Sequence, residues 1–179
     1  SGGGFPGGGG FASGAGFAKR YPLSAYDRDI MIRTIAGEAG NESWQGQAAV
    51  AHVILNRVAD PRWGGTAADV SLQEKQFSAW NDGVGGNSIP NRIQPGSASY
   101  ERIGAIVDAV SAGQIADPTG GATHYYSPKG MEAHVTAGDQ PNLLPNWLEG
   151  ESYRRQAPNV TIGGHVFTGR VRGGSGYDV

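Results

Sequence analysis

The segment TIAGEAGNESWQGQAAVAHVILNR (34–57) carries a carboxylate, Glu38, behind an apolar turn made by Ile30-Met31-Ile32 and Ile35-Ala36. Gly37 and Ala39 flank it, and Gly40-Asn41 follow directly. A glutamate placed in this way has two readings. One is an ordinary exposed loop residue. The other is a general acid: small neighbours let a bulky substrate reach the backbone, while apolar walls disfavour the ionised form and keep a proton available near neutral pH. Such a proton serves a reaction in which a poor leaving group, for instance a glycosidic oxygen, must be protonated.

A second carboxylate would decide which glycoside chemistry is open. Glu42 lies four residues on, but a glycine-containing turn intervenes, so helical spacing does not apply. If the two carboxyl groups stand far enough apart to hold a water, hydrolysis with inversion becomes available. The other reading has Glu42 capping the next helix or holding the turn. Asp69 and Asp82 are further candidates for a second carboxylate.

The elements that must position these groups can be read from pattern. Ser24, with Asp27 three residues on, resembles a capping box, and a helix is expected over 25–38 with Ile30, Met31, Thr34 and Ile35 inward and Gly37 and Gly40 at its end. Ser43 can cap a second helix over 44–58, where Trp44, Ala48, Ala51, Ile54, Leu55 and Val58 form an i, i+3, i+4, i+7 stripe. Its middle is small or apolar nearly all round, which predicts burial on several sides. A short helix is expected near 66–71, and a third long one after Ser97 or Ser99 through YERIGAIVDAVSAG. After Pro118 the character changes: ATHYYSP reads as extended, 129–150 as irregular, and NVTIGGHVFTG as a β-hairpin with positive φ angles at Gly163-Gly164. Helices first and a little β last make an α+β fold, mainly helical.

Composition narrows the classes. The 179 residues fit one domain with a proper core, and 38% hydrophobic residues with a mean hydropathy of -0.37 fit a globular chain. No stretch approaches the roughly 20 apolar residues of a membrane span. A net charge of -2, with scattered arginines, gives no electrostatic reason to expect nucleic acid. The absence of cysteine excludes disulfides, thiol catalysis and thiolate metal sites. His52, His124, His134 and His165 show no paired metal-ligand spacing, so neither a metal nor another cofactor is expected. Residues 1–20 read as a glycine-rich flexible arm or linker with Phe5, Phe11 and Phe17 spaced along it, and these rings could dock on a protein partner. Folded structure is expected over 21–179. The chain starts at Ser1 without Met, which predicts a processed chain or a fragment in which an export signal would not be visible.

The glutamate-bearing segment resembles the hallmark block of the SleB-type cell wall hydrolases, the spore-cortex-lytic enzymes and their relatives in bacteria and phages. The shared positions are Glu38-Ala39, Glu42, Gly46-Gln47 and Leu55-Asn56-Arg57-Val58. Three further blocks match in order: QFSAW (76–80), ATHYYSP (122–128) and IGGHVF (162–167). The resemblance covers roughly residues 28–168. It implies a lysozyme-like domain, with the hairpin near its C-terminus, that cleaves peptidoglycan glycan strands between N-acetylmuramic acid and N-acetylglucosamine. It further implies a lytic transglycosylase that leaves a 1,6-anhydromuramic end, with a water-using muramidase or a non-catalytic wall-binding component of a phage tail-like particle as alternatives. The location implied is the cell envelope, periplasmic or extracellular, or a virion.

Carried onto this chain, the resemblance makes Glu38 the acid and then the base. A single carboxyl suffices, because the sugar's own 6-hydroxyl closes on C1 and no water need be activated. Gln47, Gln76, Phe77, Ser78, Tyr125 and Tyr126 become substrate-binding candidates. Alternation along an extended run should turn one tyrosine to the cleft while the other, or His124, packs. Gln47 can equally cap a helix or orient the acid, Phe77 can equally be core, and Asn56 and Arg57 read as structural. His52 departs from the small or hydroxyl residue common in the family, so it too is a candidate near the substrate. The segment 129–155 is longer than expected and could be a lid, a subsite extension or a partner surface, with Trp147 able to stack on a sugar or to pack.

Overall fold

The structure is a computed structural model that describes residues 20–73, 77–138 and 160–169. The expected helices form at α1 (Ala25–Ala39), α2 (Trp44–Ala59), α3 (Ala67–Leu72) and α5 (Ala98–Ser111), with a one-turn α4 (Ile89–Arg92) and a 3-10 turn at Ser78–Trp80 between α3 and α5. The three long helices start on serines read from the sequence, with Ser97 rather than Ser99 opening α5. Ser24 Oγ accepts from Asp27 N, Ser43 Oγ from Gly46 N, and Ser97 Oγ from Tyr100 N, which satisfies amides that have no partner inside the helix. Asp27 also reaches across the fold, accepting from Ala68 N at 2.9 Å at the start of α3.

Helix α2 is the centre of the domain. Gly46 to Leu55 is buried without a break, as the small and apolar composition all round it requires. Helix α1 adds Ile30, Met31, Ile32 and Ile35 to the same core, and α5 adds Ile103, Ile106, Val107 and Val110. Each fully buried aliphatic side chain contributes about 1.5–3 kcal/mol.

Three short strands, β1 (His124–Tyr126), β2 (Val160–Ile162) and β3 (His165–Thr168), form an antiparallel sheet in the order β1-β3-β2. The expected hairpin is β2–β3. Of its two turn glycines, Gly163 takes the positive φ (57°), whereas the reading above placed positive φ at both. The segment read as irregular from 129 instead begins with helix α6 (Pro128–Ala137). Ser127 caps it, Pro128 opens it, and Gly138 (φ 81°) ends it. Those end signals were in the sequence. They went unread because α6 buries none of its residues and its apolar face is reduced to Met131 and Val135, too little to announce a helix. Trp147 and the remainder of 129–155, like the glycine-rich arm up to residue 19, lie outside the described residues.

Helix α1 runs through Gly37 rather than stopping there. A Cβ on Gly37 would lie 2.6 Å from Ala79 Cβ and 2.7 Å from Pro90 Cγ, far inside van der Waals contact. This glycine therefore lets the chain between 77 and 92 close onto the end of α1. Gly37→Ala should destabilise the fold by about 1–3 kcal/mol through overpacking, although alanine is the better helix former by about 1 kcal/mol. Urea unfolding midpoints check this, and a stabilised variant would refute the packing role.

A second prediction comes from His124, whose ring packs on Trp63 with centroids 5.5 Å apart. Burial, reinforced by the Arg57 and Arg62 guanidinium groups, pushes its pKa down to about 3, against about 6.5 in an unfolded chain. The folded state holds this imidazole neutral. Its contribution is complete above about pH 6.5 and is lost as pH falls from there towards about 3. Melting temperature should therefore decline with acidification across that window, and more shallowly in His124→Gln. An unchanged slope would count against it.

Candidate active site

Glu38 occupies the last turn of α1 and is half-buried. One oxygen, Oε1, accepts from the Ala79 amide at 2.7 Å and faces Ser78 Oγ at 3.4 Å. The other, Oε2, accepts from the Tyr125 hydroxyl at 2.8 Å. The donors come from two parts of the chain far from α1, so both oxygens have fixed directions. This corrects the expected surroundings. The carboxyl meets polar donors rather than apolar walls, and the small residue before it makes room for the protein's own loop rather than for substrate.

The loop that carries Ala79 is fastened one turn further back on α1. Trp80 Nε1 donates to Thr34 Oγ1 at 2.9 Å, and Thr34 Oγ1 donates to the Ile30 carbonyl at 2.7 Å. Thr34 and Glu38 are four apart and share a helix face, so a single face of α1 grips the 3-10 turn twice. The neighbouring face holds the loop's far end: Arg33 Nη1 donates to the carbonyls of Pro90 and Ile93 at 3.0 and 2.9 Å.

Tyr125 arrives on the sheet. It pairs with Phe167 across β1–β3, and its ring meets those of Phe167, Phe77 and His165 at centroid distances of 5.5, 6.3 and 5.0 Å. Burial, and then the adjacent Glu38 charge, raises the Tyr125 pKa well above the usual phenol value, so the hydroxyl remains a donor throughout the working pH range. Strand alternation turns Tyr126 to the opposite face from Tyr125. The end of α2 sets the start of β1: Asn56 Nδ2 donates to Asp117 Oδ2 and the Ala122 carbonyl, both at 2.9 Å, and Arg57 Nε donates to the Thr123 carbonyl at 2.7 Å. The Arg57 guanidinium also lies over both Trp63 and Phe77, 5.0 and 4.9 Å from the ring centroids. The structural reading of Asn56 and Arg57 therefore acquires a specific object, the placement of Tyr125.

Several residues expected to bind substrate are inside the protein. Gln47 is 1% exposed and donates through Nε2 to the Ala39 carbonyl at 3.2 Å, a second bond to a carbonyl at the end of α1 that also accepts from the Glu42 amide. His52 is buried, and its Nε2 faces the Ile115 carbonyl at 2.9 Å. Since a carbonyl only accepts, Nε2 carries the proton and the ring anchors α2 to the chain after α5. Burial lowers the pKa of this imidazole too. Phe77 is 2% exposed and belongs to the core. Ser78 is exposed beside Glu38 and keeps its candidacy, while Gln76 lies outside the described residues.

The other carboxylates have other partners. Asp69 closes a capping box with Thr66 at the start of α3, and Asp82 accepts from Ser88 N at 2.7 Å within its own loop. Glu42 does not cap α2, since Ser43 does. It reaches the hairpin turn, with both carboxylate oxygens 3.2 Å from Gly164 N. Two contributors were missed in the sequence. The Ala79 amide has no side-chain signature. His165, within IGGHVF, was weighed only as a metal ligand, although a histidine next to a Gly-Gly turn was the available signal for a place beside Tyr125. Among the described residues no cluster of three His, Asp or Glu side chains could hold a metal ion, and no helix is long and apolar enough to cross a membrane.

Comparison with known proteins agrees with this architecture. Over 113 residues the chain is 35% identical to a spore cortex-lytic enzyme of Halalkalibacterium halodurans, covering 62% of this chain and 31% of that protein. Over 106 residues it is 31% identical to the spore cortex-lytic enzyme of Bacillus subtilis, covering 59% and 31%. The chain thus spans about a third of the length of these relatives. Among solved structures, the catalytic domain of the Bacillus cereus SleB protein superposes with a TM-score of 0.57 at 26% identity, over 88% of this chain and all of that one. The catalytic domain of the germination-specific lytic transglycosylase SleB from Bacillus anthracis gives 0.56 at 27%, over 82% and 97%. The profile of the Cell Wall Hydrolase family matches residues 41–168, from the α1–α2 turn to the end of β3 and starting just beyond Glu38. By that match the chain belongs to the Cell Wall Hydrolase family.

Proposed function

We propose that this protein cleaves the glycan strand of peptidoglycan between N-acetylmuramic acid and N-acetylglucosamine as a lytic transglycosylase, with Glu38 as both acid and base. The observation that carries the reading is the carboxyl of Glu38, half-exposed and held by two donors, in a chain whose relatives include cortex-lytic enzymes and a lytic transglycosylase. Glu38 gives its proton to the glycosidic oxygen, and the C1–O bond breaks towards an oxocarbenium-like state that the substrate's 2-acetamido group can stabilise. The carboxylate so formed is met by the Ala79 N–H and the Tyr125 O–H, donors already in place for the charge that develops. It then takes the proton of the sugar's 6-hydroxyl as O6 bonds to C1, which returns Glu38 to its starting form and leaves a 1,6-anhydro end.

No water is consumed and no second carboxylate is needed. The engagement of Glu42 at the hairpin turn favours this single-carboxylate scheme over a water-using muramidase. Peptidoglycan as substrate puts the site of action in the cell envelope, outside the cytoplasm.

Digestion of purified sacculi tests the proposal. Anhydro-muropeptide ends are expected, Glu38→Gln should lower the rate by about 10²–10⁴-fold as loss of an acid–base group does, and Tyr125→Phe by about tenfold without unfolding. Reducing ends would replace the transglycosylase with a muramidase. Undigested sacculi, or a Glu38→Gln variant as fast as the parent, would remove the enzyme reading.

A further inference from the structure

Glu42 and His165 sit side by side next to the site without a part in the scheme above. Glu42 belongs to the turn between α1 and α2, where its own amide donates to the Ala39 carbonyl at 3.0 Å. Its carboxylate is received by the backbone of the hairpin turn at Gly164, and Oε1 lies 3.7 Å from His165 Nδ1.

Three glycines make that reach possible. A Cβ on Gly46 would stand 3.0 Å from Glu42 Cβ, one on Gly164 2.6 Å from Glu42 Oε1, and one on Gly163 would overlap Oε2. The Gly-Gly pair therefore does more than turn the chain. Gly163 supplies the positive φ, and both glycines leave the space that the carboxylate fills.

His165 is the first residue of β3 and is 7% exposed. Its Nδ1 is buried and has no hydrogen-bond partner among the described residues, an arrangement that proteins generally avoid. The ring stands edge-on to Tyr125, with centroids 5.0 Å apart at 79°, and shares a strand face with Phe167. Tyr125 in turn donates to Glu38. One continuous line of contact thus runs from Glu42 through His165 and Tyr125 to Glu38.

We propose that Glu42 and His165 form a brace that sets the Tyr125 hydroxyl against Glu38, so that both are positioning residues for the Glu38 step and Glu42 is not a second catalytic carboxylate. Glu42 pins the start of β3 by its bond to the Gly164 amide. His165 carries that fixed point to the Tyr125 ring, and a proton on Nδ1 is the tautomer that the facing carboxylate favours. The titratable groups facing the imidazole are Glu42 from the α1–α2 turn, Glu38 from α1 and Tyr125 from β1. Burial lowers the imidazole pKa, and the two carboxylates act against that lowering.

This inference rests on Glu38 acting as acid and base, and its test has two arms. In the first, Glu42→Gln, His165→Gln and Tyr125→Phe are made singly and as the two doubles with Tyr125→Phe, and each is assayed on sacculi. Each single change should lower kcat about tenfold and move KM by less than about twofold. In the Tyr125→Phe background either further change should cost less than about twofold, because the hydroxyl it positions is gone. Effects that multiply, a change confined to KM, or a loss in Glu42→Gln as deep as in Glu38→Gln would overturn the brace. Glu42→Asp keeps the charge but shortens the arm. It serves if Glu42→Gln does not fold, and the same loss of kcat is expected from it.

The second arm needs no activity. The His165 imidazole is titrated by NMR in the parent and in Glu42→Gln, where its midpoint should fall once the facing carboxylate is neutral. An unchanged midpoint refutes the Glu42–His165 link. If the parent does not cleave sacculi, the proposed function fails, and the titration still decides the Glu42–His165 link on which the brace depends.

Discussion

The Glu38 carboxylate accepts hydrogen bonds from an amide 41 residues away and from a phenol 87 residues away, and much of the domain can be read as the means of holding those two donors still. A carboxyl in the last turn of a helix has several rotatable bonds. Left alone it would sample many directions, and a proton could be delivered from few of them. Two donors from rigid elements remove that freedom before substrate arrives, which is where the advantage of preorganisation lies. The cost falls on the scaffold, because three separate pieces of chain must converge within hydrogen-bond reach.

Convergence is achieved by leaving side chains out as much as by adding them. At Gly37 the missing Cβ lets Ala79 and Pro90 press against α1, which brings the Ala79 amide to the acid. At Gly46, Gly163 and Gly164 the missing Cβ atoms admit the arm of Glu42, which ties the hairpin to the turn after α1. Gly37, Gly163 and Gly164 thus mark close approaches between elements distant in sequence, and only one of the four glycines, Gly163, is also required by its backbone angle. Polar residues along α2, of which Gln47 was a substrate-binding candidate while Asn56 and Arg57 read as structural, have a parallel role. Gln47, Asn56 and Arg57 each satisfy a backbone carbonyl at a junction, and buried carbonyls need such partners wherever helices and strands end.

The proposed chemistry and this architecture suit each other. A reaction in which one group both gives and regains a proton needs no second acid or base, but it does need the carboxylate to be stabilised between the two transfers. The Ala79 amide and the Tyr125 hydroxyl are aimed at that charge. Burial keeps Tyr125 protonated, and the same sheet that carries it is locked to α1 through Glu42. A second carboxylate near the acid, which in other glycosidases would activate a water, is here turned to the hairpin backbone.

Local rules read a good part of this molecule. The serine caps, the burial of α2 on all sides, the hairpin, and the position of one carboxyl at a helix end all follow from patterns spanning fewer than about 20 residues, where periodicity and capping chemistry act. They failed at α6, which has end signals but no buried face, and at Gln47, His52 and Phe77. For those three, residue type is equally compatible with a cleft and with a core. What tertiary structure alone decided is the company each group keeps: that Tyr125 rather than Tyr126 meets the acid, that β1 joins the hairpin through β3, that an alanine amide faces Glu38, and that Glu42 ends on a glycine turn 122 residues later. Sequence spacing carries no information about such contacts, because a hydrogen bond depends on two atoms coming within about 3 Å, and for atoms so far apart along the chain that separation is set by how whole elements pack.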